Sequence, residues 1–241
     1  MNRDEFLAIR LKHTLKKLER PKSSAPGLVV VSKYSPVEDV VLLHGAGHRH
    51  FGENRIDSLI QKQEALEQQE VEGVIWHFIG NIQSNKINRL LKTKGLSYIH
   101  SIDSLKLLEQ LFDRAGAFVG NQLGLFLQLN TSEEQEKAGF AGYDELAAAV
   151  NFFESQGEKN KKPIFYLAGL MTMGKIRTEN FELDARNSFK KLMQFKKKLE
   201  RDFDLSPLKL SMGMSRDFPI ALEEGTDWVR IGNAIFSEDH K

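Results

Sequence analysis

The sequence predicts an α/β protein built as a (β/α)8 barrel, and three observations lead there. First, short β-branched or aromatic runs alternate with amphipathic stretches along the whole chain, and eight such runs fit within its 241 residues. Second, Leu-Val-Val-Val-Ser-Lys (28–33) is a continuous apolar run ending in a lysine. That pattern suits a parallel strand buried on both faces, with its last residue carried to the mouth of the barrel. Third, no Gly-x-Gly-x-x-Gly turn follows this run, which disfavours the dinucleotide-binding version of an open doubly wound sheet.

Taken in order, residues 4 to about 20 read as a helix with Leu7, Leu11, Leu15 and Leu18 on one stripe. The first strand runs from Leu28 to Lys33, and Ser35-Pro36 turns the chain into a helix over Val37–Ala46. A short strand at Arg49–Gly52 leads to a helix over Glu53–Gln69, with Ile56, Leu59, Ile60 and Leu66 inward. Val74–Gly80 is the third strand and Gln83–Lys92 its helix; Ser97–Ile102 is the fourth and Asp103–Ala115 its helix. Strands five to eight are placed at Leu123–Asn130, Ile164–Met171, Leu208–Met212 and Trp228–Ile231. Helices over Tyr143–Ser155, about Thr178–Phe203 and Asp217–Glu224 separate them, with Gly225 closing the last. Only residues 232–241 follow, too few for a full eighth helix, so the extra N-terminal helix is expected to cover that gap. No linker or repeat divides the chain, so residues 1–241 are expected to form one domain.

Composition narrows the function. With 34 basic and 33 acidic residues, nothing global suggests nucleic acid or an anionic membrane. The absence of cysteine removes disulfides, thiolate metal sites and thiol nucleophiles together. No apolar run approaches the roughly 20 residues of a membrane span, and the early acids Asp4, Glu5 and Glu19 do not suit a signal or transit peptide. A cytoplasmic monomer without nucleic-acid or membrane partners is the expectation. The basic run of Lys190, Lys191, Lys196–Lys198 and Arg201 reads as the solvated face of a long helix. His48 and His50 share a strand face, but no further ligand converges on them, and no metal site is expected.

The polar residues at strand ends carry the chemistry. Lys33 ends the first strand, where it either snorkels or is chemically used. Asn54, after Phe-Gly-Glu, would stand beside it or cap the next helix. Alternation in Val-Arg-Ile (229–231) points Arg230 into the barrel if its neighbours face the helices, and an inward arginine requires a partner. Ser211-Met212-Gly213-Met214-Ser215 and Gly232-Asn233 form the loops after strands seven and eight, where barrels often bind phosphate. An amine, an inward cation and an anion cradle are together what pyridoxal phosphate needs.

At this point the sequence resembles the pyridoxal phosphate homeostasis proteins, single-domain relatives of the alanine racemase N-terminal barrel. The motifs are Val-Val-Ser-Lys (30–33), Phe-Gly-Glu-Asn (51–54), Trp-His-Phe-Ile-Gly (76–80), Gln83 with Asn85-Lys86, and Gly-Leu-Met (169–171). Leu-Ser-Met-Gly-Met-Ser-x-Asp-Phe (210–218) and Val-Arg-Ile-Gly (229–232) complete the series in family order. The resemblance implies a Schiff base on Lys33, Asn54 against the cofactor and Arg230 at the pyridine nitrogen. It implies Met214, Ser215, Gly232 and Asn233 around the phosphate. Asn233 departs from the usual Ser or Thr, Arg55–Ser58 from the usual continuation, and Ser237 from Gly. The function implied is binding and homeostasis of pyridoxal 5'-phosphate without dedicated catalysis, with apo forms of enzymes that use it as possible recipients. The alternative is a pyridoxal phosphate-dependent racemase or decarboxylase. Such racemases add a second, β-rich domain carrying a tyrosine acid/base, and this chain stops soon after strand eight.

Overall fold

The computed structural model describes residues 1–19, 25–131, 138–157, 163–174 and 178–237. Eight parallel strands close into a barrel in chain order, each paired with its sequence neighbours and the first with the last. They are β1 (Gly27–Val31), β2 (His50–Glu53), β3 (Ile75–Phe78), β4 (Leu96–Ile102), β5 (Leu123–Leu129), β6 (Phe165–Thr172), β7 (Lys209–Ser211) and β8 (Trp228–Ile231). The helices are α1 (Arg3–Leu18), α2 (Val37–Gly45), α3 (Ile56–Gln68), α4 (Ile87–Leu91), α5 (Leu105–Phe112), α6 (Tyr143–Gly157), α7 (Phe181–Asp202), α8 (Phe218–Glu223) and α9 (Asn233–Phe236). Three of these bounds correct the sequence reading. The first strand ends at Val31, so Lys33 lies in the turn beyond it. The second strand runs through Glu53, so its helix begins at Ile56 rather than Glu53. A single helical turn, α9, follows β8 where none was expected.

α1 does occupy the place of a missing eighth helix, packed between α2 and α9. Its buried face is Leu7, Leu11, Thr14 and Leu18, a 4-3-4 spacing that keeps one stripe inward. Leu15, expected on that stripe, is exposed, because it falls a further 100° around the helix from Thr14. Each of the three leucines contributes about 1.5–3 kcal/mol by leaving water. The amino end is closed by a capping box of Asn2 and Glu5, and Arg3 clamps Asp39 of α2 at 2.6 and 2.9 Å while donating to the Phe236 carbonyl.

Alternation along the strands sorts side chains into two cores. Leu28, Val30, Val229 and Ile231 pack outward under the helices, with Leu123, Leu125, Leu127 and Leu210. Val29, Phe126, Ala168, Met171 and Trp228 fill the interior of the barrel with Tyr98 and Tyr166. His77 and His100 are wholly buried in that interior, stacked on Tyr98 (4.6 Å) and Phe126 (4.3 Å). Burial there lowers the pKa of both imidazoles well below the ordinary histidine range, so both are neutral.

Candidate functional site

The ends of β1, β2, β7 and β8 converge on the carboxyl-terminal mouth. On β1, the Ser32 amide donates to the Gly52 carbonyl and the Ser35 amide to the Ser32 carbonyl, closing a turn around Lys33 and Tyr34. That turn is pinned from below. Lys62 of α3 donates to the Ser32 carbonyl (2.6 Å) and to the Glu53 carboxylate (2.5 Å). The Ser32 hydroxyl donates to the same carboxylate oxygen at 2.7 Å, and Ser58 to the other at 3.2 Å. Glu53 and Lys62 are both buried, so a charged lock sits directly under the turn that presents Lys33. The Lys33 ammonium stands 5.0 Å from the centre of the Tyr34 ring.

Asn54 follows the lock on the adjacent strand end. The residue capping α3 is Arg55, without a side-chain bond, so the capping role considered for Asn54 is not the one it takes. Its carbonyl lies where a side chain on Gly80 would begin, which brings the β2 and β3 ends into contact at the mouth.

Arg230 points into the barrel, as the Val229/Ile231 alternation predicts, in register with Val29 on β1. Its partners are neutral: Nη1 donates to the Ser211 hydroxyl (2.6 Å) and Nη2 to the Thr172 carbonyl (2.9 Å). Among the described residues these two bonds use two of its five N–H donors, and the side chain lines the cavity. Burial brings its pKa down to about 10, opposed by the nearby Asp217 carboxylate, so it stays cationic at neutral pH. Neither of its contacts was anticipated: Thr172 acts through its backbone, and Ser211 had been read only as part of an anion loop.

The loop after β7 is shaped by Gly213, whose φ is +94° and where an added Cβ would come within 2.6 Å of the Ala221 methyl, so a side chain is excluded. The Met214 amide donates to Asp217 at 2.5 Å, so it is spent and unavailable as a donor to an anion. Burial pushes the Asp217 carboxyl up. The amides of Ser215 and Gly232 find no backbone acceptor among the described residues. Gly232 presses against Val31, where a Cβ would meet the carbonyl at 2.9 Å. Asn233, exposed, opens α9.

Lys33, Asn54, Met214, Ser215, Arg230, Gly232 and Asn233 all line one cavity of about 900 Å³. Tyr34, Asp39, Arg216 and Asp217 also face it. Among the described residues no group of three His, Asp or Glu side chains could hold a metal; His48 spends its Nε2 on the His50 carbonyl at 2.8 Å.

Residues 9–239 match the family model described as alanine racemase, N-terminal domain. A pyridoxal phosphate homeostasis protein of Aquifex aeolicus is 34% identical over 241 residues, covering 99% of both chains. Among solved structures, PipY of Synechococcus elongatus with pyridoxal phosphate bound superposes with a TM-score of 0.78 at 30% identity, covering 96% of this chain and 100% of that one. Alanine racemase from E. faecalis superposes at 0.70 with 14% identity, covering 98% of this chain and 58% of that one, which shows a shared fold. The chain belongs to the pyridoxal phosphate homeostasis protein family, built on the barrel of the alanine racemase N-terminal domain.

Proposed function

We propose that this protein binds pyridoxal 5'-phosphate at the barrel mouth and serves its homeostasis by storage and delivery. The observation that carries the reading is the convergence of Lys33, Arg230, Ser215 and Gly232 on one cavity. The residues fit the group in chemistry. When bound, pyridoxal phosphate supplies an aldehyde that links reversibly to a primary amine. Lys33 offers that amine on a turn held by the Glu53–Lys62 lock. Arg230 offers donors to the ring nitrogen, and a cation there keeps that nitrogen unprotonated, weakening the ring as an electron sink. Ser215, Gly232 and Asn233 would hold the phosphate, and Met214 would contribute its side chain, its amide being engaged by Asp217.

What faces Lys33 among the described residues supports a role without catalysis. General acid–base work needs a positioned group within hydrogen-bond reach of the transferred proton. Of the four tyrosines, Tyr34 alone lines the cavity, 85% exposed and on the same turn as Lys33. Tyr98 and Tyr166 pack half-buried against the barrel-interior cluster and do not line the cavity, and Tyr143 bonds Asp202 on the outside. Asp39 is held by Arg3, and Asp217 by the Met214 amide. Apo forms of enzymes that use the cofactor are the proposed recipients.

The test is to titrate protein freed of cofactor with pyridoxal phosphate, reduce with borohydride and map the peptides. The pyridoxyl label is expected on Lys33, and Lys33→Ala should abolish the visible band. Label recovered mainly on another lysine, such as Lys86, would overturn the assignment.

A further inference from the structure

Below the cavity, three imidazoles from three consecutive strands are joined end to end. His50 Nδ1 lies 3.0 Å from His77 Nε2, His77 Nδ1 lies 2.9 Å from His100 Nε2, and His100 Nδ1 lies 2.8 Å from the Ser211 hydroxyl. Ser211 is the group that accepts from Arg230 Nη1 at 2.6 Å. The row therefore runs from the half-buried start of β2 through the barrel interior to the back of the arginine that faces the cavity.

The direction of the row follows from donor chemistry. Arginine carries only donors, so the Ser211 oxygen accepts from it. The serine proton then needs an acceptor, and His100 Nδ1 is the one the hydroxyl meets. A neutral His100 accepting at Nδ1 carries its proton on Nε2 and donates to His77 Nδ1. His77 likewise donates through Nε2 to His50 Nδ1, leaving the His50 proton on Nε2. Reversing the row would leave Ser211 with two donors and no acceptor for its own proton, at the cost of an unsatisfied buried group. Stacking on Tyr98 and Phe126 holds the two inner rings in place.

We propose that His50, His77, His100 and Ser211 form a hydrogen-bonded relay of fixed tautomer that positions the Arg230 guanidinium from behind. Ser211 and His100 are its positioning residues. The relay presents a lone pair to Nη1 and so sets the plane in which the remaining Arg230 donors meet the cavity. What those donors hold rests on the function proposed above; the relay itself does not.

The experiment uses the full chain, ¹⁵N-labelled and free of cofactor. Two-bond ¹H–¹⁵N spectra should show His77 and His100 neutral and protonated on Nε2 from pH 6 to 8. The Arg230 Nη protons should be resolved, as befits slow guanidinium rotation. Ser211→Ala should mix the His100 tautomers and merge the Arg230 Nη signals, and Ser211→Thr should restore both. In the loaded protein, Ser211→Ala should weaken pyridoxal phosphate binding about tenfold, from the loss of one charge-assisted bond, and shift its absorption band. Nδ1-protonated His100 in the native chain, or Nη signals unchanged in Ser211→Ala, would overturn the proposal. Failure of the native protein to bind pyridoxal phosphate would count against the proposed function alone, since the tautomer and rotation measurements need no cofactor.

Discussion

Replacing Lys62 by methionine tests the lock beneath Lys33. The Lys62 ammonium makes contacts of 2.5 Å to Glu53 and 2.6 Å to the Ser32 carbonyl, and Glu53 is fully shielded from water. The methionine side chain matches the stem in volume, so the cavity term is small. Among the described residues the carboxylate then keeps the Ser32 and Ser58 hydroxyls. Removing one member of a buried pair costs about 3–5 kcal/mol, most of it the stranded charge. For a chain of this size each kcal/mol moves the melting temperature by about 2–4 °C. The variant should therefore melt roughly 6–20 °C lower. Pairing Lys62→Met with Glu53→Gln removes both charges while keeping an acceptor for the hydroxyls. The double variant should come back to within about 2 kcal/mol of the parent. Urea unfolding of the four proteins gives the coupling directly. Single and double losses that simply add, or a Lys62→Met loss below 1 kcal/mol, would show that the pair does not hold the turn.

Other expectations are separate in cause. Stability should fall as pH drops below about 6.5, since unfolded histidines take up protons there and the buried ones do not. His48 is brought down to about 4 by burial, and burial takes His77 and His100 well below 6.5. Three such groups add up to about 4 kcal/mol per pH unit near pH 5; urea midpoints that stay flat from pH 7 to 5 would contradict this. Pyridoxal lacking its phosphate should bind about 30- to 1000-fold more weakly, and Ser215→Ala should cost the phosphorylated form about tenfold. Equal affinities in the paired titrations would move the anion site elsewhere. Turnover of alanine or another amino acid near ~1 s⁻¹, the low end for ordinary enzymes, would favour the racemase alternative.

The fold was legible because β1, β5 and β6 are largely apolar runs and amphipathic helices space the shorter strands between them, and the inward aim of Arg230 followed from its two apolar neighbours alone. Element ends were less so. Ser32-Lys33 reads as continuing the strand, but the Ser35 amide turns back to the Ser32 carbonyl, and backbone hydrogen bonds between residues three apart leave no compositional trace. Leu15 was misplaced because leucine fits a stripe by type, whereas the spacing of Leu7, Leu11 and Leu18 selects Thr14. In the site, the seven expected residues from Lys33 to Asn233 share a cavity, yet what restrains them was hidden. Lys62 looks like a solvated helix lysine until Glu53 is known to point at it. Asp217 takes the Met214 amide through a local loop geometry that residue types alone do not specify. The histidines at 50, 77 and 100 sit at inward strand positions, a parity signal that was present but unused.

The seam between β1 and β8 bears on how the chain is made. Every β1 residue pairs there or with β2, and Arg3 reaches the Phe236 carbonyl across 233 positions. During synthesis, therefore, the first strand emerges long before the partner that covers its open edge. Closing contacts of such separation are entropically late, and until then Leu28 and Val30 belong to an apolar edge able to pair with the wrong strand. The nascent chain has to wait, partly ordered, for its last forty residues or so before Arg230 and Lys33 can stand in the same cavity.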